Sequence, residues 1–517
     1  MGLLDGLAAL STGQVVLLMA ALAIAFGFEV INGFHDTANA VATVIYTRSL
    51  KPTPAVVWSG IWNFIGVHAG GVGVAFSIVH LLPVDLLVNI QTGRGLAMVL
   101  ALLVAAIAWN FATWQRGLPA SSSHALIGSI MGVGMTNAWL EHGSPFTGLN
   151  WHKVAEVMMA LVLSPLAGFG LAAALLWLCR MLVRSPTLYA PPVGDEPPPW
   201  WVRTLLVGTC TGVSFAHGSN DGQKGMGLIM LVLIGIVPAT YALDLRAGHA
   251  EIEAAAAAAR ELEAELVRQP LADMVAALRD QHVATLRVER LARSAALAAD
   301  ASVEFGLAHE VIDSLEGRDP VLASLDPLPV VRAVVATLDG RAGFHDLDSD
   351  ARWTLRTQLV ELGTSVRTIL RHFGDRLGAD RRQVLADIAG RLSRPVEYVP
   401  DWVTWGVALC LGLGTMVGWQ RIVVTVGEKI GKSHLTYAQG GVAELVAAGT
   451  IALADRLGMP VSTTHVLSSG VAGTMWAARS GIQAGTVRTI AMAWILTLPA
   501  TMLLAGSIYL AAVLVTG

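Results

Sequence analysis

A chain of 517 residues with 54% apolar and 14% charged side chains carries little more than half the charge of a soluble domain, which is about 25%. Its mean hydropathy of +0.59 makes most of it an integral membrane protein. The net charge of −4 comes without a basic cluster, so nothing in it fits a nucleic-acid partner.

The first apolar stretch, 14–34, follows an N-terminus with an acidic Asp5 and no early Lys or Arg. It reads as a retained membrane segment, not a cleaved leader. Further apolar stretches at 55–82, 95–115, 153–180, 202–218, 225–243, 401–420, 438–456 and 487–514 are long enough, or nearly so, to span a bilayer. Three others, 37–47, 120–139 and 460–478, are short or broken by Gly and Ser, which predicts half-helices or re-entrant hairpins. The expected architecture is an all-α polytopic membrane protein of ten to twelve transmembrane elements. Its 53 glycines suit close helix packing in lipid. Cys179, Cys210 and Cys410 lie in or beside apolar stretches, and an odd count gives no disulfide framework.

The stretch PPVGDEPPPWW at 191–201 cannot continue a helix and should be extended. It ends a first membrane repeat, 1–190, and precedes a second that occupies 202–243 and 399–517. Between those two parts lies 244–398, which holds 44 of the chain's 72 charged residues: 19 Arg, 25 acids and no Lys. Its segment EIEAAAAAARELEAELVRQ is rich in strong helix formers with charges three and four apart. No Walker loop, metal-ligand cluster or nucleophile motif occurs there, so this insertion reads as a cytoplasmic helical spacer or a ligand-sensing domain.

Two signatures occur twice, in the same order. GFEVINGFHDTANAVA (27–42) is answered by GVSFAHGSNDGQKGMG (212–227), and an offset of 185 pairs Gly33 with Gly218 and Asp36 with Asp221. GLPASSSHALIGSIMG (117–132) is answered by GMPVSTTHVLSSGVAG (458–473), where an offset of 341 pairs Pro119 with Pro460, His124 with His465 and Gly132 with Gly473. From Asp36 to His124 is 88 residues; from Asp221 to His465 is 244, or 89 once the 155-residue insertion is removed. The chain is therefore a duplicated membrane unit with an insertion in its second copy. Duplication with broken apolar segments at matching places is the mark of a secondary transporter.

A carboxylate at membrane depth is costly unless paired or wet, so Asp36 and Asp221 are candidates for function. Around them stand Asn32, His35, Thr37 and Asn39 in the first copy, and His217, Ser219, Asn220, Gln223 and Lys224 in the second. Such donor sets suit a hard cation or a proton. The second signature runs from proline into hydroxyls: Ser121, Ser122 and Ser123, then Ser462, Thr463 and Thr464. Proline favours the first helical turn, and Ser and Thr favour the cap. Two such helix N-termini face to face would hold a tetrahedral oxyanion with uncharged donors, which also let it leave. His124 and His465 are proton carriers or structural donors. Glu29, Glu444 and Asp455 are further intramembrane acids, and Glu29 has only Ser214 as its repeat partner.

GFHDTANAVAT, FAHGSNDGQKGMG, LPASSSHALIGSIMG and MPVSTTHVLSSGVAGTM resemble the signatures of the PiT family of inorganic phosphate transporters. The likeness extends along the whole chain and is greatest to the bacterial low-affinity Pit branch, charged insertion included. It implies two inverted-topology repeats, a homodimer in the lipid bilayer of the bacterial inner membrane, and symport of inorganic phosphate with protons, as a neutral complex with a divalent cation. By motif, phosphate would contact Ser121, Ser122, Ser123, Ser462, Thr463 and Thr464. Cations would contact Asp36, Asn39, Asn220 and Asp221, and the two aspartates would ligate a transported metal. No resident cofactor and no catalysis are implied.

Two departures bear on coupling. Sodium-coupled members resemble N-D-x-A-N in both copies. Here His35 replaces the leading Asn of the first, and Lys224 stands where the trailing Asn of the second would. Both argue against sodium. Rival readings are a sulfate or other oxyanion permease, an intramembrane hydrolase using Ser123 or Thr464 with a histidine, and a channel. The duplication disfavours the hydrolase, since a nucleophile–base pair is needed once, not in two matched copies.

Overall fold

The computed structural model describes residues 10–79, 81, 93–146, 149, 151–194, 196–268, 273 and 327–516. These form two compact units: Val237–Tyr398, and the residues before Val237 and after Tyr398. In chain order the helices longer than four residues are α1 (Thr12–Tyr46), α2 (Pro52–Ala69), α3 (Gly73–Val79), α4 (Gly93–Gln115), α5 (Ser122–His142), α6 (Trp151–Leu182), α7 (Trp200–Ile236), α8 (His249–Val267), α9 (Leu328–Leu338), α10 (Ser349–Phe373), α11 (Ala379–Ser393), α12 (Asp401–Thr415), α13 (Gln420–Glu428), α14 (Tyr437–Arg456), α15 (Thr463–Ala477) and α16 (Ala484–Thr516). No β-strand occurs among the described residues.

α1, α4, α6 and α16 are each long and apolar enough to cross a bilayer alone, and two bent pairs, α2 with α3 (77°) and α12 with α13 (64°), pass together. The protein is a multi-pass membrane protein. Helices α5, α7 and α15, which carry three of the four polar signatures, are not among the spans found by hydropathy.

The structure moves the breaks. The expected half-helix at 37–47 is the end of α1, 35 residues without interruption. The stretches 202–218 and 225–243 are one helix, α7, 37 residues long and ending at Ile236. The polar, glycine-rich centre of α7 is a packing surface, not a break: a helix satisfies its own backbone in lipid, and glycine lets a neighbour touch it. The breaks fall instead within 55–82 and within 401–420. The donors that open α3 are not wasted, because Val74 N donates to Gln223 Oε1 of α7 at 2.8 Å. Of the other two expected half-helices, α15 has 15 residues, about 22 Å against a hydrocarbon core of about 30 Å. α5 has 21 residues and is long enough to span.

Contacts in the membrane unit come in exchanged pairs: α2 packs on α7 and α12 on α1; α4 on α1 and α14 on α7; α16 on α5 and α6 on α15. The duplicated glycines sit at these crossings. A Cβ on Gly33 would strike Leu411 O of α12, and one on Gly218 would strike Asn63 O of α2. Gly132 meets Met502 O of α16 and Gly473 meets Phe169 O of α6 in the same way.

In the other unit, α8 packs on α9 and α11, and α10 on α9 and α11. Ala255, Ala258 and Ala259 of α8 are fully buried with Val331, Leu359 and Ile388, so the alanine run supplies a close-packing face. The two ends of this unit are joined. Asp244 N donates to Pro395 O at 2.9 Å. The buried Arg356 donates to Ala242 O at 3.0 Å and Val396 O at 3.4 Å. Burial pushes that guanidinium down to about 10, the direction expected when a charge loses its water. The compact unit starts at Val237, seven residues before the compositional limit of 244; residues 269–272 and 274–326 of the insertion lie outside those described.

Candidate functional site

The site is built where α5 and α15 begin. Ser121 is the cap of α5, its side chain accepting from His124 N, and Ser462 caps α15 by accepting from His465 N, both at 3.2 Å. The first intrahelical bonds are Ala125 N to Ser121 O and Val466 N to Ser462 O. The amides of Ser122, Ser123, Thr463 and Thr464 therefore lie before any helical acceptor, at the positive end of each helix.

The non-helical backbone ahead of these tips is buried at Pro119, Ala120, Pro460 and Val461, and its carbonyls need partners. Asn220 Nδ2 donates to Met459 O at 3.2 Å, Ser123 Oγ to Val461 O at 3.0 Å, and Lys224 Nζ to the same Val461 O at 3.2 Å. On the first copy Trp494 Nε1 donates to Pro119 O at 2.9 Å.

The two tips meet at Asp36. Its carboxylate accepts from Ser122 Oγ of α5 at 2.5 Å and from Thr464 Oγ1 of α15 at 2.8 Å. His35 Nδ1 lies 2.9 Å from the same carboxylate, and its Nε2 lies 3.1 Å from Thr113 Oγ1 of α4. Asp221 is held differently. Lys224 Nζ lies 2.5 Å from its Oδ1, and His217 Nε2 is 3.3 Å from its Oδ2, within ion-pair range but off hydrogen-bond geometry. Lys224 Nζ also donates to Ser123 Oγ at 2.5 Å. Asp36, His217 and Asp221 each offer one ligand atom within 4.8 Å of the others. Two carboxylates and an imidazole suit a divalent cation.

The arrangement is less symmetric than the sequence. Ser123 and Thr464 are repeat partners, yet Thr464 holds Asp36 while Ser123 holds Lys224. Thr463 Oγ1 is buried without a partner. The ring centroids of His124 and His465 are 4.4 Å apart, and those of His465 and Trp494 4.0 Å. His124 Nδ1 reaches Ser121 Oγ at 2.9 Å, whereas neither ring nitrogen of His465 has a partner. The side chain of Asn39 lies outside those described.

Three flanking groups join the site or brace it. His217, also held to Asn63 Oδ1 at 2.9 Å, becomes the third member of the carboxylate cluster. Asp455 accepts from Ser219 at 2.6 Å and Gln223 at 2.5 Å, tying α14 to α7. Glu444 accepts from Thr43 of α1 and Thr209 of α7. A second-copy histidine four residues before Asp221 was the available signal for His217; nothing in the spacing linked Glu444 to its threonines.

Residues 32–505 match the model of the phosphate transporter family, PHO4. The chain is 41% identical over 515 residues to the low-affinity inorganic phosphate transporter PitA of Escherichia coli K12, covering 97% of each. It is 40% identical over 505 residues to PitB of the same organism, covering 96% of each. A probable low-affinity inorganic phosphate transporter of Bacillus subtilis is 25% identical over 486 residues, with 94% of each covered. Among solved structures, a sodium-dependent phosphate transporter shares the fold, with a TM-score of 0.51 at 18% identity, over 96% of this chain and 99% of that one. A family match over residues 32–505, which takes in Asp36, Asp221 and both hydroxyl tips, and near end-to-end alignment at 40–41% identity establish that the chain belongs to the phosphate transporter family.

Proposed function

We propose that this transporter imports inorganic phosphate by proton-coupled symport, as a near-neutral complex with a divalent cation, across the bacterial inner membrane. Membership in a family of transporters sets the intramembrane hydrolase aside. The observation that carries the reading is Asp36 accepting one hydroxyl from each of the two helix tips. A carboxylate at the focus of two oxyanion-binding helix ends favours an anion that brings its own proton or cation. Phosphate has an ionisable proton at neutral pH and sulfate has none. Free dianionic phosphate is expensive to desolvate; with a divalent cation between Asp36, His217 and Asp221, or with protons, the moving unit is nearly neutral. Phosphate would bind between the amides and hydroxyls of Ser122, Ser123, Thr463 and Thr464, with Ser121 and Ser462 setting the caps.

Lys224 fits this coupling. Its ammonium occupies the place beside Asp221 that a sodium ion would fill. The exchanged helix contacts support two inverted repeats that rock about the shared site, and we extend the family's homodimer to this chain. In proteoliposomes, uptake of radiolabelled phosphate should rise when magnesium is added and be insensitive to excess sulfate. Sulfate competing as well as unlabelled phosphate would favour a general oxyanion permease.

A further inference from the structure

Glu29 lies on α1 two turns before Asp36, is fully buried, and neither carboxylate oxygen meets a hydrogen-bond donor at bonding geometry. Asn32, one turn along, is close enough to act on the Glu29 carboxyl group, but neither of its side-chain atoms meets a partner at hydrogen-bonding geometry. The ionisable groups in its field are Asp221 and Lys224 on α7, Asp36 on α1 and Cys410 on α12. Lys224 is the one cation among them, and its ammonium is committed to Asp221, Ser123 and Val461 O. The carboxyl group of Glu29 thus has no counter-ion of its own, and a buried carboxylate in that state is costly as an anion.

Its place is nevertheless made for it. A Cβ on Gly225 would overlap the Glu29 carboxyl group, so that group rests against the α7 backbone directly after Lys224. The repeat partner of Glu29 is Ser214, so the group occurs once while the substrate-facing signatures occur twice. A proton that accompanies phosphate needs one such group, close enough to sense the substrate and outside its contacts. Lys224 provides the link. It holds Ser123 of the phosphate-binding tip, so phosphate drawing on Ser123 shifts the ammonium's field at the neighbouring carboxyl group.

We propose that Glu29 carries the coupling proton. Its carboxylate takes a proton from water on one side of the membrane, and the carboxylic acid returns it to water on the other; no bond of phosphate is made or broken. This rests on the proton-coupled reading above.

The test compares full-length wild type with Glu29→Gln in proteoliposomes, by two assays. One is accumulation of radiolabelled phosphate driven by an inside-alkaline pH gradient; the other is phosphate–phosphate exchange at equal pH. Glu29→Gln should retain exchange, which needs no net proton movement, and lose gradient-driven accumulation. Gradient-driven accumulation at the wild-type level in Glu29→Gln would overturn the proposal, and so would loss of exchange together with accumulation. If Glu29→Gln does not reach the membrane, Glu29→Asp carries the test: gradient-driven uptake with a displaced pH profile supports the assignment, and a wild-type profile overturns it. A wild type indifferent to the pH gradient would instead remove the proton-coupled reading itself.

Discussion

The ammonium of Lys224 lies 2.5 Å from Asp221 Oδ1, one turn away on the same helix, and 2.5 Å from Ser123 Oγ on another. All three side chains are buried. One residue therefore neutralises a membrane-buried carboxylate and fixes a hydroxyl of the proposed phosphate site. Removing one partner of a buried ion pair costs about 3–5 kcal/mol. Lys224→Asn, which restores the repeat partner's residue, should abolish sodium-independent phosphate uptake. Sodium, able to take the vacated place beside Asp221, should restore part of it. Unchanged sodium-independent uptake would contradict the role given to Lys224.

The two helix tips are best tested together. Ser122 donates to Asp36, and Thr463, its repeat partner, has a buried hydroxyl with no protein partner, which suits a ligand contact. A hydrogen bond to a charged group is worth about 1.5–3 kcal/mol. Losing two should lower uptake by about a hundredfold or more. Ser122→Ala with Thr463→Ala should therefore show almost no radiolabelled phosphate uptake in a protein that still folds and inserts into the membrane. Normal uptake would remove the oxyanion site from these tips.

The glycine crossings make a prediction about stability. Gly33→Ala and Gly218→Ala each drive a methyl group into a backbone carbonyl of the other half, and overpacking of this kind costs about 1–3 kcal/mol. Both should lower the melting temperature. Gly208, on α7 with nothing within 4 Å of an added Cβ, is the control: its alanine variant should melt at or slightly above wild type, because alanine favours the helix by about 1 kcal/mol. Equal effects at all three positions would mean the crossings are not close-packed.

Much of this was legible beforehand, and the errors share a cause. The duplicated signatures located Asp36, Asp221 and both hydroxyl tips, because buried polar groups stand out against an apolar chain. Ser121 and Ser462 as caps followed from local chemistry alone. The helix breaks were misplaced because glycine and polar residues in α7 look like interruptions, whereas there they are packing points against Asn63 and polar contacts to Ser123 and Met459. Which hydroxyl meets which carboxylate was out of reach, since Ser123 and Thr464 have equivalent places in the sequence and different partners in space.

The insertion should be dispensable for transport. Its ends are held within hydrogen-bonding distance by Asp244 N and Pro395 O, and by Arg356 on Ala242 O and Val396 O. A short connection can bridge them, as the stretch from Tyr46 to Pro54 does in the first copy. Loop length itself adds little free energy. Replacing 244–398 by a short Gly/Ser linker should leave phosphate uptake near wild type in proteoliposomes. Loss of uptake in a protein that still inserts and binds phosphate would make the insertion part of the transport cycle.

Proton coupling without sodium is the central claim, and one measurement reaches it directly. Wild-type protein in proteoliposomes is given an inward pH gradient with no sodium, then an inward sodium gradient at equal pH, and radiolabelled phosphate is followed in each. Concentrative uptake under the pH gradient alone, collapsed by a protonophore and unaffected by sodium, is the predicted result. Accumulation driven by the sodium gradient, with none under the pH gradient, would contradict the account.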